Sequence, residues 1–246
     1  MNTKYIDLIS QTYNFPQEEF KLKEDNLIFH DIDLMQLVQK YGVPLKFTYL
    51  PKISENIQRA KKWFQDAIKK HEYSGKYHYC YCTKSSHFKH VLDEALRNDI
   101  HIETSSAFDI DIVNHLKKTG KLTDNNFVIC NGFKRDKYIQ NIANLINQGH
   151  RKCVPIIDNY EELNLLTNAV EKDFQIGIRI ASEEEPKFEF YTSRLGIGYK
   201  NIIPFYEDQI KNNEQVEIFV DKHPDLKIDT ALFESGFEVV FDKCLK

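Results

Sequence analysis

The chain has 246 residues, 41% of them hydrophobic and 28% charged, the balance of an ordinary soluble globular protein. Its net charge of −4 gives no basic footprint for nucleic acid, and no apolar run reaches the ~20 residues that a membrane span needs. Five cysteines scattered through apolar segments, and an N-terminus without a signal-peptide core, point to a reducing, cytoplasmic compartment rather than a disulfide frame.

Residues 1–26 are polar with isolated aromatics and read as an irregular arm. A short strand is predicted at 27–32. Asp33 then caps a helix carrying Leu34, Leu37, Val38 and Tyr41, which stops at Gly42. Residues 45–50 are again strand-like. After Ser54, the spacing of Ile57, Ala60, Trp63, Phe64, Ala67 and Ile68 predicts a long amphipathic helix whose lysines form a solvated face.

From Lys76 the pattern becomes regular. Strands are predicted at 77–83, 101–105, 127–131, 154–158, 175–180 and 216–220. Helices are predicted between them at 87–97, 108–118, 135–147 and 160–170, with a further one at 204–211. Such alternation implies a parallel sheet with right-handed crossovers, either doubly wound or closed as a (β/α)₈ barrel. No GxGxxG or Walker A motif follows any strand, which counts against dinucleotide and P-loop readings.

Polar residues collect where these strands end. Lys84, Glu103 or Ser105, Asn131, Asp158 and Arg179 all fall at C-terminal ends, the position of a barrel active site. The first strand alternates tyrosines, Tyr77, Tyr79 and Tyr81, with the smaller set His78, Cys80 and Cys82, and Lys84 shares the side of the smaller set. Taken alone, Lys84 reads as the start of a solvated loop. Partial burial would instead lower its pKa and make the amine a nucleophile. In the fifth strand Gln175, Gly177 and Arg179 likewise share one face. The His78, Cys80 and Cys82 run lacks zinc-ligand spacing and reads as core packing, so no metal is expected. Ser105 and Ser106 lie near His101 but in no GxSxG elbow, and read as helix-capping hydroxyls. His87 and His90 read as solvent-side helix residues, and Glu183–Glu185 as a solvated loop.

These residues together resemble the pyridoxal-phosphate-dependent decarboxylases of the alanine-racemase fold, and within them the bacterial biosynthetic arginine decarboxylases. YCYCTK, residues 79–84, is similar to the first barrel strand of that family, whose lysine forms the Schiff base. IETSSAFDIDIV, residues 102–113, resembles the acidic residue, Ser-rich turn and helix that follow. VICNGFKRDKYI (128–139) and VPIIDNYEELNLL (154–166) resemble the third and fourth units. IGIRIAS (176–182) resembles the strand whose arginine lies near the phenolate of the cofactor ring. FYTSRLGIGYKNI (190–202) is similar to the Lys-Phe-Gly segment, with Arg194 in place of lysine. The likeness covers residues 27–215.

The resemblance implies a (β/α) barrel of about six of the eight units, without the C-terminal β-domain. Residues 1–75 would form an N-terminal arm, 76–220 the partial cofactor-binding barrel, and 221–246 an unassigned tail. Lys84 would be the catalytic, cofactor-holding lysine, Glu103 would act with it on the cofactor, and Arg179 would be a further cofactor-binding residue. Pyridoxal phosphate is the implied cofactor and a basic amino acid the implied substrate. The implied reaction is decarboxylation of arginine to agmatine, for polyamine biosynthesis, by a homo-oligomer with the active site at a dimer interface.

The chain also departs from the family. Ser85 and Ser86 follow the lysine where an asparagine is common. The ring-stacking histidine has only a displaced counterpart in His223. The Gly-Gly-Gly phosphate segment and the Glu-Pro-Gly-Arg of the eighth strand are absent. Two other readings therefore stay open: a single-domain pyridoxal-phosphate carrier or homeostasis protein, although its Gly-Glu-Asn signature is missing, and a non-enzymatic remnant completed by a partner chain.

Overall fold

A computed structural model describes residues 19–24, 26–181 and 196–218. Arg194, His223, Glu183–Glu185 and the 221–246 tail lie outside the described residues. The chain divides into two compact units, Met1–Tyr49 and Leu50–Lys246.

The first unit holds an antiparallel sheet of β1 (Phe20–Lys23), β2 (Asn26–Phe29) and β3 (Ile32–Asp33), then α1 (Leu34–Tyr41). Asp33 caps α1 as its sequence predicts, accepting the backbone N–H groups of Met35 and Gln36 at 2.8 and 3.2 Å. Gly42 closes the helix at φ +80°, a conformation that glycine adopts without strain. Two expectations are corrected here. Residues 20–23 are a strand, because Phe20 and Leu22 find a ladder partner in Phe29 and Leu27. Among the described residues, residues 45–50 join no ladder, although their side chains are strand-like.

The second unit begins with α2 (Pro51–Lys70), a turn earlier than Ser54, since Pro51 is well suited to a helix's first position. It continues as β4 (Cys80–Cys82), α3 (Lys89–Leu96), β5 (His101–Thr104), α4 (Ala107–Lys118), β6 (Val128–Cys130), α5 (Asp136–Asn147), β7 (Cys153–Ile157), α6 (Tyr160–Ala169) and β8 (Phe174–Ile178). A small parallel pair follows, β9 (Ile180–Ala181) with β10 (Ile197–Gly198), then α7 (Ile202–Phe205), a π turn over Tyr206–Ile210, and β11 (Val216–Ile218).

The six main strands are all parallel and lie in the order β11-β8-β7-β6-β5-β4. That order advances in one direction with no reversal. A doubly wound sheet reverses at a switch point. Right-handed crossovers that never reverse place every helix on the same face, which is how a (β/α) barrel is built. Among the described residues the barrel is a six-stranded arc with β4 and β11 at its edges.

Its two faces differ as the period-2 alternation requires. The outer face sends Ile102, Val128, Cys130, Cys153, Ile157, Ile176 and Ile178 into one core with Ile110 and Val113 of α4, Ile139 and Ile142 of α5, and Leu163 and Leu166 of α6. Tyr79 and Tyr81 also point outward, packing with Ile57 of α2, Ala95 and Ile100. The inner face carries Cys80, Phe127, Ile129, Val154 and Ile156. No helix of the described residues is long and apolar enough to cross a membrane.

Candidate active site at the strand ends

In β4 to β8, alternation puts the same face uppermost at each C-terminal end. Cys82 is level with Glu103, and Glu103 with Ile129, so Glu103, Asn131, Asp158 and Arg179 follow the inner-face register, while Lys84 comes after the end of β4. Four adjacent strands thus deliver polar groups to one mouth.

Lys84 lies in a tight turn directly after β4. Ser85 closes this turn, its backbone N–H and hydroxyl both donating to the carbonyl of Cys82 at 3.2 and 2.8 Å. Thr83 is fully buried and anchors the strand end to the Glu103 carbonyl through its N–H, at 3.0 Å, and its hydroxyl, at 3.1 Å. The Lys84 side chain itself is exposed. Among the described residues it makes no ion pair with Glu103.

Glu103 is half-buried on β5. Its Oε1 accepts from Asn131 Nδ2 at 3.2 Å and from the Cys82 thiol at 3.7 Å. Burial, and then the Glu103 charge, push the Cys82 thiol above its usual pKa, and for the same reasons Cys80 rises to about 12. Both thiols are therefore protonated, and they serve as a donor and as packing rather than as nucleophiles or metal ligands. Among the described residues no group of three His, Cys, Asp or Glu side chains is placed to hold a metal ion.

Asn131 and Asp158 are the buried residues of the mouth, 5% and 3% exposed. Asn131 donates to Glu103, but its Oδ1 accepts no hydrogen bond among the described residues, and neither does either carboxylate oxygen of Asp158. Arg179 stands at the end of β8 with its Nη1 3.8 Å from Asp158 Oδ1. Burial drives the Asp158 carboxyl above the usual range; Lys134 and Arg179 oppose that rise, and Glu162 adds to it.

Behind this row lies a pair that the sequence did not reveal. Lys134 and Glu162, 2% exposed each, are joined at 3.1 Å. Lys134 Nζ also donates to the carbonyls of Gly132, at 2.8 Å, and Ile156. Glu162 accepts the backbone N–H of Lys134 at 2.8 Å and of Asp158 at 3.0 Å. Its own N–H donates to Asn159 Oδ1 at 3.0 Å, so Asn159 is the side-chain cap of α6, while the Glu162 carboxylate reaches back to the residue before the cap and clamps the neighbouring loop. The Asn–Tyr–Glu–Glu helix start at 159–162 is the legible trace of the pair. Asp109 does the same for α4, accepting from Ser105 N at 2.9 Å and the Ser106 hydroxyl at 3.0 Å. The expected hydroxyl caps are corrected here: Ser106 stands at the cap position without a side-chain cap hydrogen bond, and both serine hydroxyls donate to Asp109 instead. His87 and His90 are exposed.

The structure therefore joins Glu103 to Asn131 and Arg179 to Asp158, and leaves Lys84 unpaired and exposed at the same edge. No protein-family model matches the chain. A stretch of 159 residues, 62% of this chain, is 30% identical to the biosynthetic arginine decarboxylase of Gloeobacter violaceus, and spans 23% of that protein. Diaminopimelate decarboxylase from M. jannaschii superposes with a TM-score of 0.66 at 15% identity, over 82% of this chain and 46% of that one. The biosynthetic arginine decarboxylase of Campylobacter jejuni gives 0.52 at 16% identity, over 68% of this chain and 30% of that one. The chain thus spans about a quarter of its curated relative and under half of the solved structures it matches. The resemblance read from the residues is borne out: in sequence the chain is similar to the biosynthetic arginine decarboxylases, and in fold it matches the strand–helix barrel part of amino-acid decarboxylases.

Proposed function

We propose that this chain is the lysine-bearing barrel portion of a pyridoxal-phosphate-dependent decarboxylase acting on arginine or a related basic amino acid. What supports this reading is the position of an amine, a carboxylate and a guanidinium at or just past the C-terminal ends of β4, β5 and β8, in a chain similar to arginine decarboxylases. The donor set fits the ring end of pyridoxal phosphate. Lys84 supplies an exposed amine, Arg179 a permanent cation for an anionic ring oxygen, and the buried unpartnered acceptors mark a mouth built for a ligand. When bound, the cofactor supplies an electron sink for loss of the substrate carboxylate.

The rest belongs to the side chains. Lys84 would hold the cofactor and move a proton at its amine. Glu103, kept in place by Asn131 and the Cys82 thiol, would be the proton partner of that amine. Arg179 would orient the ring. The phosphate end has no Gly-Gly-Gly counterpart in the sequence, so binding by this chain is weak. The whole enzyme in this reading is a cytoplasmic homo-oligomer feeding polyamine synthesis.

The test is covalent trapping. Incubation with millimolar pyridoxal phosphate and reduction with borohydride should add one phosphopyridoxyl group, mapped by mass spectrometry to Lys84 and lost in Lys84→Ala. Release of carbon dioxide from carboxyl-labelled arginine by the chain with its completing segment selects the decarboxylase reading. No adduct at Lys84 at millimolar cofactor overturns it.

A further inference from the structure

We propose that Asp158 is a positioning residue, the counter-ion that fixes the Arg179 guanidinium at the mouth. The inference rests on the reading of Arg179 as the cation that meets the cofactor. Ile157 of β7 and Ile178 of β8 are register partners, and Arg179 N donates to the Ile157 carbonyl at 3.0 Å. Asp158 and Arg179 therefore leave adjacent strands at one height and on one face. Their charged ends stand 3.8 Å apart, a charge contact beyond hydrogen-bond distance.

Among the described residues no hydrogen bond at the β7–α6 turn uses the Asp158 carboxylate. Asn159 caps α6, and Glu162 receives the Asp158 backbone N–H. Lys134, the other nearby cation, donates to Gly132, Ile156 and Glu162. A buried carboxylate that takes no part in capping, with both oxygens unpartnered among the described residues, is expensive unless its charge answers another. Arg179 is 21% exposed along its side chain and supplies that charge.

The stem of Arg179 is fenced independently. Ile197 N donates to the Arg179 carbonyl at 2.7 Å. Gly196, at φ +100°, lies so close that an added Cβ would come within 3.1 Å of Arg179 Cγ and 2.9 Å of Ala181 N. Gly196 and Ile197 thus hold the backbone and stem, and Asp158 faces the head.

Two measurements decide it. The first is a thermal double-mutant cycle on the cofactor-free chain with Asp158→Asn, Arg179→Gln and the pair. Arg179→Gln alone should lower Tm the most, by stranding the buried carboxylate, and adding Asp158→Asn should recover most of that loss. Additive single effects overturn the pairing. The second is the cofactor concentration giving half-maximal borohydride-trapped Lys84 adduct. Asp158→Asn should raise it by about tenfold, with Asp158→Glu between the two, a shift that a purely structural role would not produce. An unchanged half-maximal concentration in Asp158→Asn overturns the positioning role even if the cycle shows coupling. A wild-type chain that forms no Lys84 adduct removes the cofactor reading, and the positioning role with it, while the cycle still judges the pair.

Discussion

The two ends of the same inner sheet face are built to opposite standards. At the N-terminal end, His101 is fully answered. Its Nδ1 accepts the Phe127 N–H at 3.1 Å and its Nε2 meets His78 Nδ1 at 3.0 Å, while Phe127 packs edge-on to both rings. At the C-terminal end, Asn131 and Asp158 are more deeply buried, yet three of their oxygens accept nothing among the described residues. Folding alone favours the first arrangement, because an unmet buried acceptor costs about 1–3 kcal/mol. A sheet that leaves such groups at only one end, beside an exposed lysine and a half-buried arginine, is sacrificing stability where ligands bind in this architecture.

The sharpest way to break the contrast is to damage the buried ion pair of the C-terminal end, whose groups are satisfied. Glu162→Gln removes the charge that Lys134 meets and weakens a site that accepts three N–H donors. It strands a buried ammonium and should cost about 3–5 kcal/mol of unfolding free energy, measured by urea denaturation. A loss under 1 kcal/mol would mean that the pair is not the scaffold of the mouth. The unanswered acceptors could then no longer be set apart as the functional portion.

Much of this end was legible in the sequence because parallel strands carry their alternation to the tip. The period-2 pattern was enough to turn Tyr79 and Tyr81 of β4 outward and to put Arg179 on the face of Gln175 and Gly177, whereas Lys84 lies past the end of β4, exposed in a turn, as the solvated-loop reading has it. What stayed hidden depends on pairings across the sheet. Lys134 and Glu162 are 28 residues apart, and only packing of α5 beside α6 brings them together. That Asp158 ends a strand is a local fact. That its oxygens go unmet depends on every neighbour, and no local pattern encodes it. The same logic explains the arm: Phe20–Lys23 becomes a strand, and residues 45–50 do not, because a ladder needs a partner as well as a propensity.

The N-terminal end predicts a pH signature of its own. Burial first, and then the neighbouring His78, lower the His101 pKa to about 4 from its usual 6.5. The geometry agrees: Nδ1 is occupied by the Phe127 N–H and cannot take a proton without losing that bond. A depressed folded-state pKa means that the unfolded chain binds the proton first. The stability contributed by neutral His101 is therefore complete above pH 6.5 and drains away as pH falls toward 4. His101→Gln should flatten that limb of the stability–pH curve. An equally steep curve in the variant would place the acid sensitivity elsewhere and remove the claim that this end is closed against protons.

The smallest effect is expected at the start of α4, where structure and function are easiest to confuse. Ser105 and Ser106 sit two and three residues beyond Glu103, and a serine pair beside a site invites a chemical role. Their hydroxyls face Asp109, at 3.5 and 3.0 Å, and the Ser105 N–H reaches the same oxygen at 2.9 Å. Asp109, 7% exposed, is thereby satisfied in the way that Asp158 is not. Ser106→Ala removes one of three donors and should lower stability by about 0.5–1.5 kcal/mol, the worth of a single hydrogen bond. The Lys84 adduct should form at the same cofactor concentration as in the wild type. A stability loss in that range with unchanged trapping assigns the serines to the helix start. A shifted cofactor response with unchanged stability would move them into the mouth, and the boundary between answered and unanswered groups would have to be redrawn one strand residue higher.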